Sequence, residues 1–141
     1  FKDGIKIGVF GLGIELLHLV SPDLYKETKY LDPIEITQDI SRDLKEKEAC
    51  DLVICLSHLG YNYKNSDKIS DLKLAAATKN IDLIIGGHTH TFLPKPTLVK
   101  NLNNENVLVN QVGAYGVNLG RIDFYFDENN QRETSNKTIS K

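Results

Sequence analysis

Apolar positions along this chain fall into short runs of two different periods, and the runs alternate. Ile5-Lys6-Ile7-Gly8-Val9-Phe10-Gly11-Leu12 is rich in β-branched residues and closed by glycines, the pattern of a buried strand entering a turn. Asp32-Pro33-Ile34-Glu35 carries helix-start chemistry, with aspartate as N-cap, proline at the first helical position and glutamate at the third. Ile36, Ile40 and Leu44 then recur every four residues. That spacing predicts one apolar stripe laid against a sheet, with Asp39, Arg42, Lys45 and Glu46 in water and the helix ending near Ala49. The pattern further predicts a strand over 51–56, a second helix over 69–78 and a third strand over 82–85.

Strand, helix, strand, helix, strand implies right-handed crossovers and an α/β fold built on a largely parallel sheet covered on both faces. Beyond residue 90 the runs shorten to Thr97-Leu98-Val99, Val107-Leu108-Val109 and Arg121-Ile122-Asp123-Phe124-Tyr125-Phe126. The alternation of Ile122, Phe124 and Phe126 predicts a strand with one buried face. From Asn129 onward the chain is polar and reads as a fraying end, which leaves residues 1–128 as one domain and 129–141 as a tail.

Composition narrows the function classes. A chain of 141 residues with 40% hydrophobic residues can bury a core of its own. The formal net charge of -2 comes with scattered lysines and no basic stripe, so nucleic acid is not an expected partner. No apolar run reaches the roughly 20 residues that span a bilayer. Cys50 and Cys55 are too far apart along an extended segment to be bridged and read as free thiols. Opening on Phe1, the chain reads as a processed product or a fragment.

Candidate chemistry sits where two strands end. Ile81-Asp82-Leu83-Ile84-Ile85 runs into Gly86-Gly87-His88-Thr89-His90, and Leu52-Val53-Ile54-Cys55-Leu56 runs into Ser57-His58-Leu59-Gly60. In an open parallel sheet the carboxyl ends of the strands share one edge, and ligands bind in the crevice there. If the two strands are neighbours, His58, His88 and His90 reach a common volume. Gly86 and Gly87 are expected to make the sharp turn, and an extended His88-Thr89-His90 would point both imidazoles the same way, each towards a different ion. Neutral imidazole suits Zn²⁺, Fe or Mn²⁺, and paired ions about 3.5 to 4 Å apart clamp the attacking and leaving oxygens of an in-line phosphoryl displacement. His18, in an apolar segment with no partner in view, is left out of the site. Asp67 and Asp71 read either as carboxylates behind the ligands or, more simply, as solvated helix-start residues. No Asp-x-His and no Gly-Asn-His occurs, so carboxylate and asparagine ligands of the usual spacing are lacking.

With these motifs assembled, the chain resembles the C-terminal half of the catalytic domain of the bacterial 5′-nucleotidase and UDP-sugar hydrolase family, within the calcineurin-like metallophosphoesterases. Residues 4–12, 50–60 and 81–90 resemble that family's strands and metal loops, and Val112-Gly113-Ala114-Tyr115-Gly116-Val117-Asn118-Leu119-Gly120-Arg121 resembles its closing segment. The resemblance implies one half of a four-layer αββα sandwich. It also implies two divalent ions, with His58 and His88 on one and His90 on the other, and a phosphomonoester substrate such as a 5′-nucleotide. The remaining ligands and the transition-state histidine would come from an N-terminal half, as a separate chain, a cleaved chain or a second copy. No catalytic residue is then expected in this chain, which alone would be inactive. A periplasmic or cell-envelope location is implied by the resemblance only. Two other readings compete with it: a non-catalytic module holding at most one zinc ion, and a self-contained three-histidine zinc hydrolase.

Overall fold

The computed structural model describes residues 1–17 and 19–128; His18 and the expected tail over 129–141 lie outside the described residues. In chain order the elements are β1 (Ile7–Leu12), α1 (Pro22–Tyr25), α2 (Pro33–Glu46), β2 (Leu52–Ser57), α3 (Asp71–Ala77), β3 (Leu83–Ile85), β4 (Thr97–Lys100) and β5 (Asn106–Asn110). They form a five-stranded sheet of order β1-β2-β3-β5-β4. Neighbours from β1 through β5 pair parallel, and β4 closes the edge antiparallel to β5. The α/β architecture with a mainly parallel βαβαβ start is the expected one.

The helices begin where side-chain chemistry starts them. The Asp32 carboxylate accepts from the Ile34 and Glu35 amides at 2.8 and 3.0 Å, and Ser70 Oγ caps α3 by accepting from the Lys73 amide. The core lies between these helices and one sheet face, where Phe10, Val53, Cys55, Ile84, Val107 and Val109 meet Leu74 and Ala75 of α3 and Ile34, Ile40 and Leu44 of α2. Cys50 and Cys55 are buried free thiols, as expected. Burial, and then the nearby Asp71 charge, pushes the Cys55 thiol up to about 12, so it is inert at neutral pH.

Three expectations about packing need correction. The buried stripe of α2 is Pro33, Thr37 and Ser41, and Ile36 stands outside the core cluster. Small hydroxyl side chains let α2 close on the end of α3, where Ser41 Oγ donates to the Lys79 carbonyl at 3.0 Å and Gln38 Nε2 to that of Ala77 at 3.1 Å. Nor does Lys45 face water, because Nζ donates to the Asp51 carbonyl at 2.9 Å and pairs with Asp82 at 3.2 Å.

Secondly, α2 and α3, the helices that pack on the core among the described residues, cover one face of the sheet. β1, β2 and β3 are laid down in one direction, and two right-handed crossovers in one direction place both helices on the same side. The opposite face leaves Val9, Leu56 and Ile85 exposed at 54%, 49% and 44%. Thirdly, no strand element forms over residues 121–126 among those described. Ile122, Phe124 and Phe126 are half-buried as their alternation predicts, but the segment instead borders a cleft of about 780 Å³ with Ile5, Ile7 and Leu52. Alternation reports a buried face; it does not by itself build a strand, and only Phe126 reaches a bridge.

Candidate metal centre

β2 and β3 are adjacent and parallel, with Leu56 opposite Ile85. That register carries His58 and Gly87, each two residues farther on, to the same level above the sheet edge. A Cβ on Gly87 would lie 3.1 Å from His58 Nδ1, so the missing side chain is what lets the second loop come this close. His58 is exposed and its amide donates to the Leu12 carbonyl at 2.9 Å, tying the loop to β1. Its ring meets that of His88 with centroids 5.3 Å apart and planes at 65°.

His90 goes elsewhere. Its ring stands 5.9 Å from Tyr115, edge to face, on the closing segment. The reason lies in the backbone, which is not extended here. His88 has φ 70° and His90 φ 51°, whereas neither Gly86 nor Gly87 takes a positive φ. The histidines themselves make the turn, and the glycines supply close approach. Around His88 the Thr89 amide donates to the Gly87 carbonyl at 2.9 Å, the rare and strained sense of a γ-turn.

A buried polar network underlies the loop. The Thr89 hydroxyl accepts from the Tyr61 amide at 3.0 Å, which joins it to the His58 loop, and it donates to Gln111 Oε1 at 3.1 Å. Gln111 Nε2 donates to the Gly87 carbonyl at 2.6 Å. Beneath Gly86 lies Asp71, which is fully buried in the first turn of α3 and not in solvent as the simpler expectation had it. Its Oδ1 accepts from Ser57 Oγ at 2.5 Å, and its Oδ2 has no hydrogen-bond partner among the described residues. Burial raises the Asp71 carboxyl to about 6, with the Ser57 bond opposing. Asp67 is exposed, as expected of a residue in solvent.

Does this donor set suit a divalent ion? Two imidazoles on one ion, at a metal–nitrogen distance of about 2.0 to 2.1 Å and tetrahedral angles, stand roughly 5 Å apart between centroids. The His58–His88 spacing fits. Burial first, then the charges of His58, Lys68 and His90, lowers the His88 pKa and favours the neutral ligand form. Among the described residues, no three His, Cys, Asp or Glu side chains gather closely enough to hold an ion by themselves. The pair therefore suits part of a coordination shell. Sequence reasoning missed Gln111, whose only signal is a second amide after Asn110 at the end of an apolar strand.

Comparisons with known proteins identify the family of the segment that carries these loops. The family model for calcineurin-like phosphoesterases matches residues 4–92, which takes in β1, both strand-end histidine loops and the helices between. The chain is 38% identical over 138 residues to the trifunctional nucleotide phosphoesterase protein YfkN of Bacillus subtilis, with 98% of this chain and 9% of that protein covered. It is 30% identical to an apyrase of Tabanus yao, covering 92% of this chain and 24% of the relative. Identity is also 30% to a 5′-nucleotidase of Vibrio cholerae, covering 89% and 26%. The chain thus spans about a quarter or less of the length of these relatives. It belongs to the calcineurin-like phosphoesterase family.

Proposed function

We propose that residues 1–128 form the C-terminal half of the catalytic domain of a dinuclear-metal phosphoesterase acting on 5′-nucleotides. In this reading His58 and His88 hold one divalent ion and His90 reaches the second. The observation that carries it is the 5.3 Å pairing of two imidazoles from adjacent strand ends inside a segment matched by the phosphoesterase family. Divalent ions held there supply positive charge to a phosphoryl group and acidify water.

The chain's own residues divide the remaining work. His88, its pKa lowered, presents a neutral ring. Gly86 and Gly87 let the loop close on Asp71 and on the His58 ring, which a Cβ would meet at 2.1 and 3.1 Å. The Thr89 hydroxyl is committed to Tyr61, Thr91 and Gln111 and is not available to substrate. Asp71 is sealed behind Gly86 on the helix side of the sheet and does not touch substrate.

Further ligands and the acid-base group come, in this reading, from an N-terminal half docked on the open sheet face. The half-exposed Val9, Leu56 and Ile85 support that contact. The relatives named for nucleotide substrates support a nucleotide leaving group, and a cell-envelope location goes with the same reading.

The test is hydrolysis of a 5′-nucleotide by the full-length protein carrying this sequence, with and without His88→Ala. The substitution is expected to lower turnover at least 100-fold in a folded protein. Unchanged turnover overturns the assignment. One observation favours a second reading, a non-catalytic module with at most one zinc ion: the described residues gather only two imidazoles. Native mass and metal content separate the two, because a metal-free single chain in solution supports the module.

A further inference from the structure

We infer that Gln111 is a positioning residue for both loop histidines, its side-chain amide holding the left-handed backbone that turns His88 towards His58 and His90 towards Tyr115. The inference rests on the proposed function for its metal-binding consequence. It rests on the geometry alone for the loop.

Left-handed backbone costs a non-glycine residue roughly 1 to 2 kcal/mol. Here two such residues occur within three positions, at φ 70° and 51°. Strain of this kind persists only where surrounding structure over-determines it. The γ-turn bond from the Thr89 amide to the Gly87 carbonyl is one restraint. Three more converge on a single side chain. Gln111 Nε2 donates to that same Gly87 carbonyl, just before His88. Gln111 Oε1 accepts from the Thr89 hydroxyl, between the histidines, and from the Thr91 amide, just after His90. One amide thus bonds before, between and after the two ligands.

The side chain is specific to this task. Glutamate keeps the acceptor for Thr89 and Thr91 but loses the donor to Gly87, and leucine of similar volume keeps neither. Gln111 is 1% exposed, so water cannot replace the lost bonds without opening the core. Its backbone directly follows β5, which is paired with β3 and β4, and its carbonyl accepts from the Leu93 amide at 3.1 Å. The amide is therefore a fixed post against which the loop is braced. Gln111 lies beyond the matched residues 4–92 and contacts neither imidazole in the hydrogen bonds described.

The experiment uses the full-length protein with Gln111→Leu and Gln111→Glu, and Ser41→Ala as a stability control on the far side of the core. Hydrogen exchange of the metal-free protein, read by mass spectrometry on peptides covering 86–92, tests the bracing. Exchange is expected to rise at least tenfold in Gln111→Leu, less in Gln111→Glu and not in the control. Unchanged exchange in a folded Gln111 variant overturns the inference, whatever the metal result.

Titration with Co²⁺, followed by its visible absorption, tests the consequence. The dissociation constant is expected to rise roughly 10 to 100-fold with an altered spectrum, the usual cost of losing a residue that orients ligands. A variant matching wild type within twofold, in affinity and spectrum, overturns the positioning role. His88→Ala is titrated alongside. If it binds Co²⁺ as well as wild type, the proposed function fails, while hydrogen exchange still judges the bracing. If Gln111→Leu does not fold, Gln111→Glu carries both measurements.

Discussion

Among the described residues Asp71 Oδ2 has no hydrogen-bond partner, and a Cβ on Gly86 would come within 2.1 Å of that oxygen. Its carboxyl is raised by burial to about 6 from an ordinary 3.8. Below the lower value both folded and unfolded chains hold the proton, so the buried group costs nothing. Between the two values only the folded chain holds it, and stability falls as pH rises until the loss is complete above about 6. Asp71→Asn should abolish that slope, so that denaturant unfolding at pH 4.5 and pH 7 differs by on the order of 2 kcal/mol less in the variant than in wild type. An equal slope in both proteins removes Asp71 as its source. At this scale the sequence revealed the ligand candidates, because a histidine at the end of an apolar strand is visible by position. It did not reveal the turn, since nothing local announces that two histidines and not two glycines take positive φ. Gln111 was invisible for a related reason: its three partners lie 20 to 24 residues away, and hydrogen bonds across that distance leave no periodic trace.

Helices and strands were the most legible scale. Asp32-Pro33 predicted the start of α2, and the carboxylate caps it as expected. Asp32→Ala should cost about 1 kcal/mol, measured as a lowered urea midpoint with unchanged m-value, because the Ile34 and Glu35 amides lose their shared acceptor. A shift below a few tenths would mean that water caps the helix equally well. The stripe of α2 was read about one residue out of phase. Ile36, Ile40 and Leu44 are the larger apolar residues, but Thr37 and Ser41 are the ones that fit where α2 meets the end of α3. Hydrophobicity predicts which helix face turns inward, and side-chain volume then selects the line of closest contact. The 121–126 segment shows the converse, with its half-buried alternation realised but, among the described residues, a single bridge position at Phe126 in place of a strand.

For the whole molecule, the direction in which the strands are laid down decides what can bind where. α2 and α3 pack on one face, and in the proposed reading the other receives the N-terminal half. Val9→Lys and Leu56→Gln lie on this open face and should leave the fold of this region intact. In the full-length protein they should weaken docking of the proposed N-terminal half, seen as a lowered melting temperature and lost phosphatase activity with unchanged helix content. Full activity in the double variant would argue that this face stays uncovered. The βαβαβ plan was legible in the sequence, but the single-sided covering was not, because it follows from strand order and not from any one element. The β4–β5 excursion carries a consequence for assembly. The chain leaves the loop at Thr91, runs out and back through an antiparallel pair, and returns 20 residues later with Gln111. Closing that circuit costs entropy that local contacts do not repay, so the imidazoles settle late, after the pair has zipped. A protease cut in the turn near Asn103, far from any ligand, would therefore silence the loop by cutting the line that anchors it.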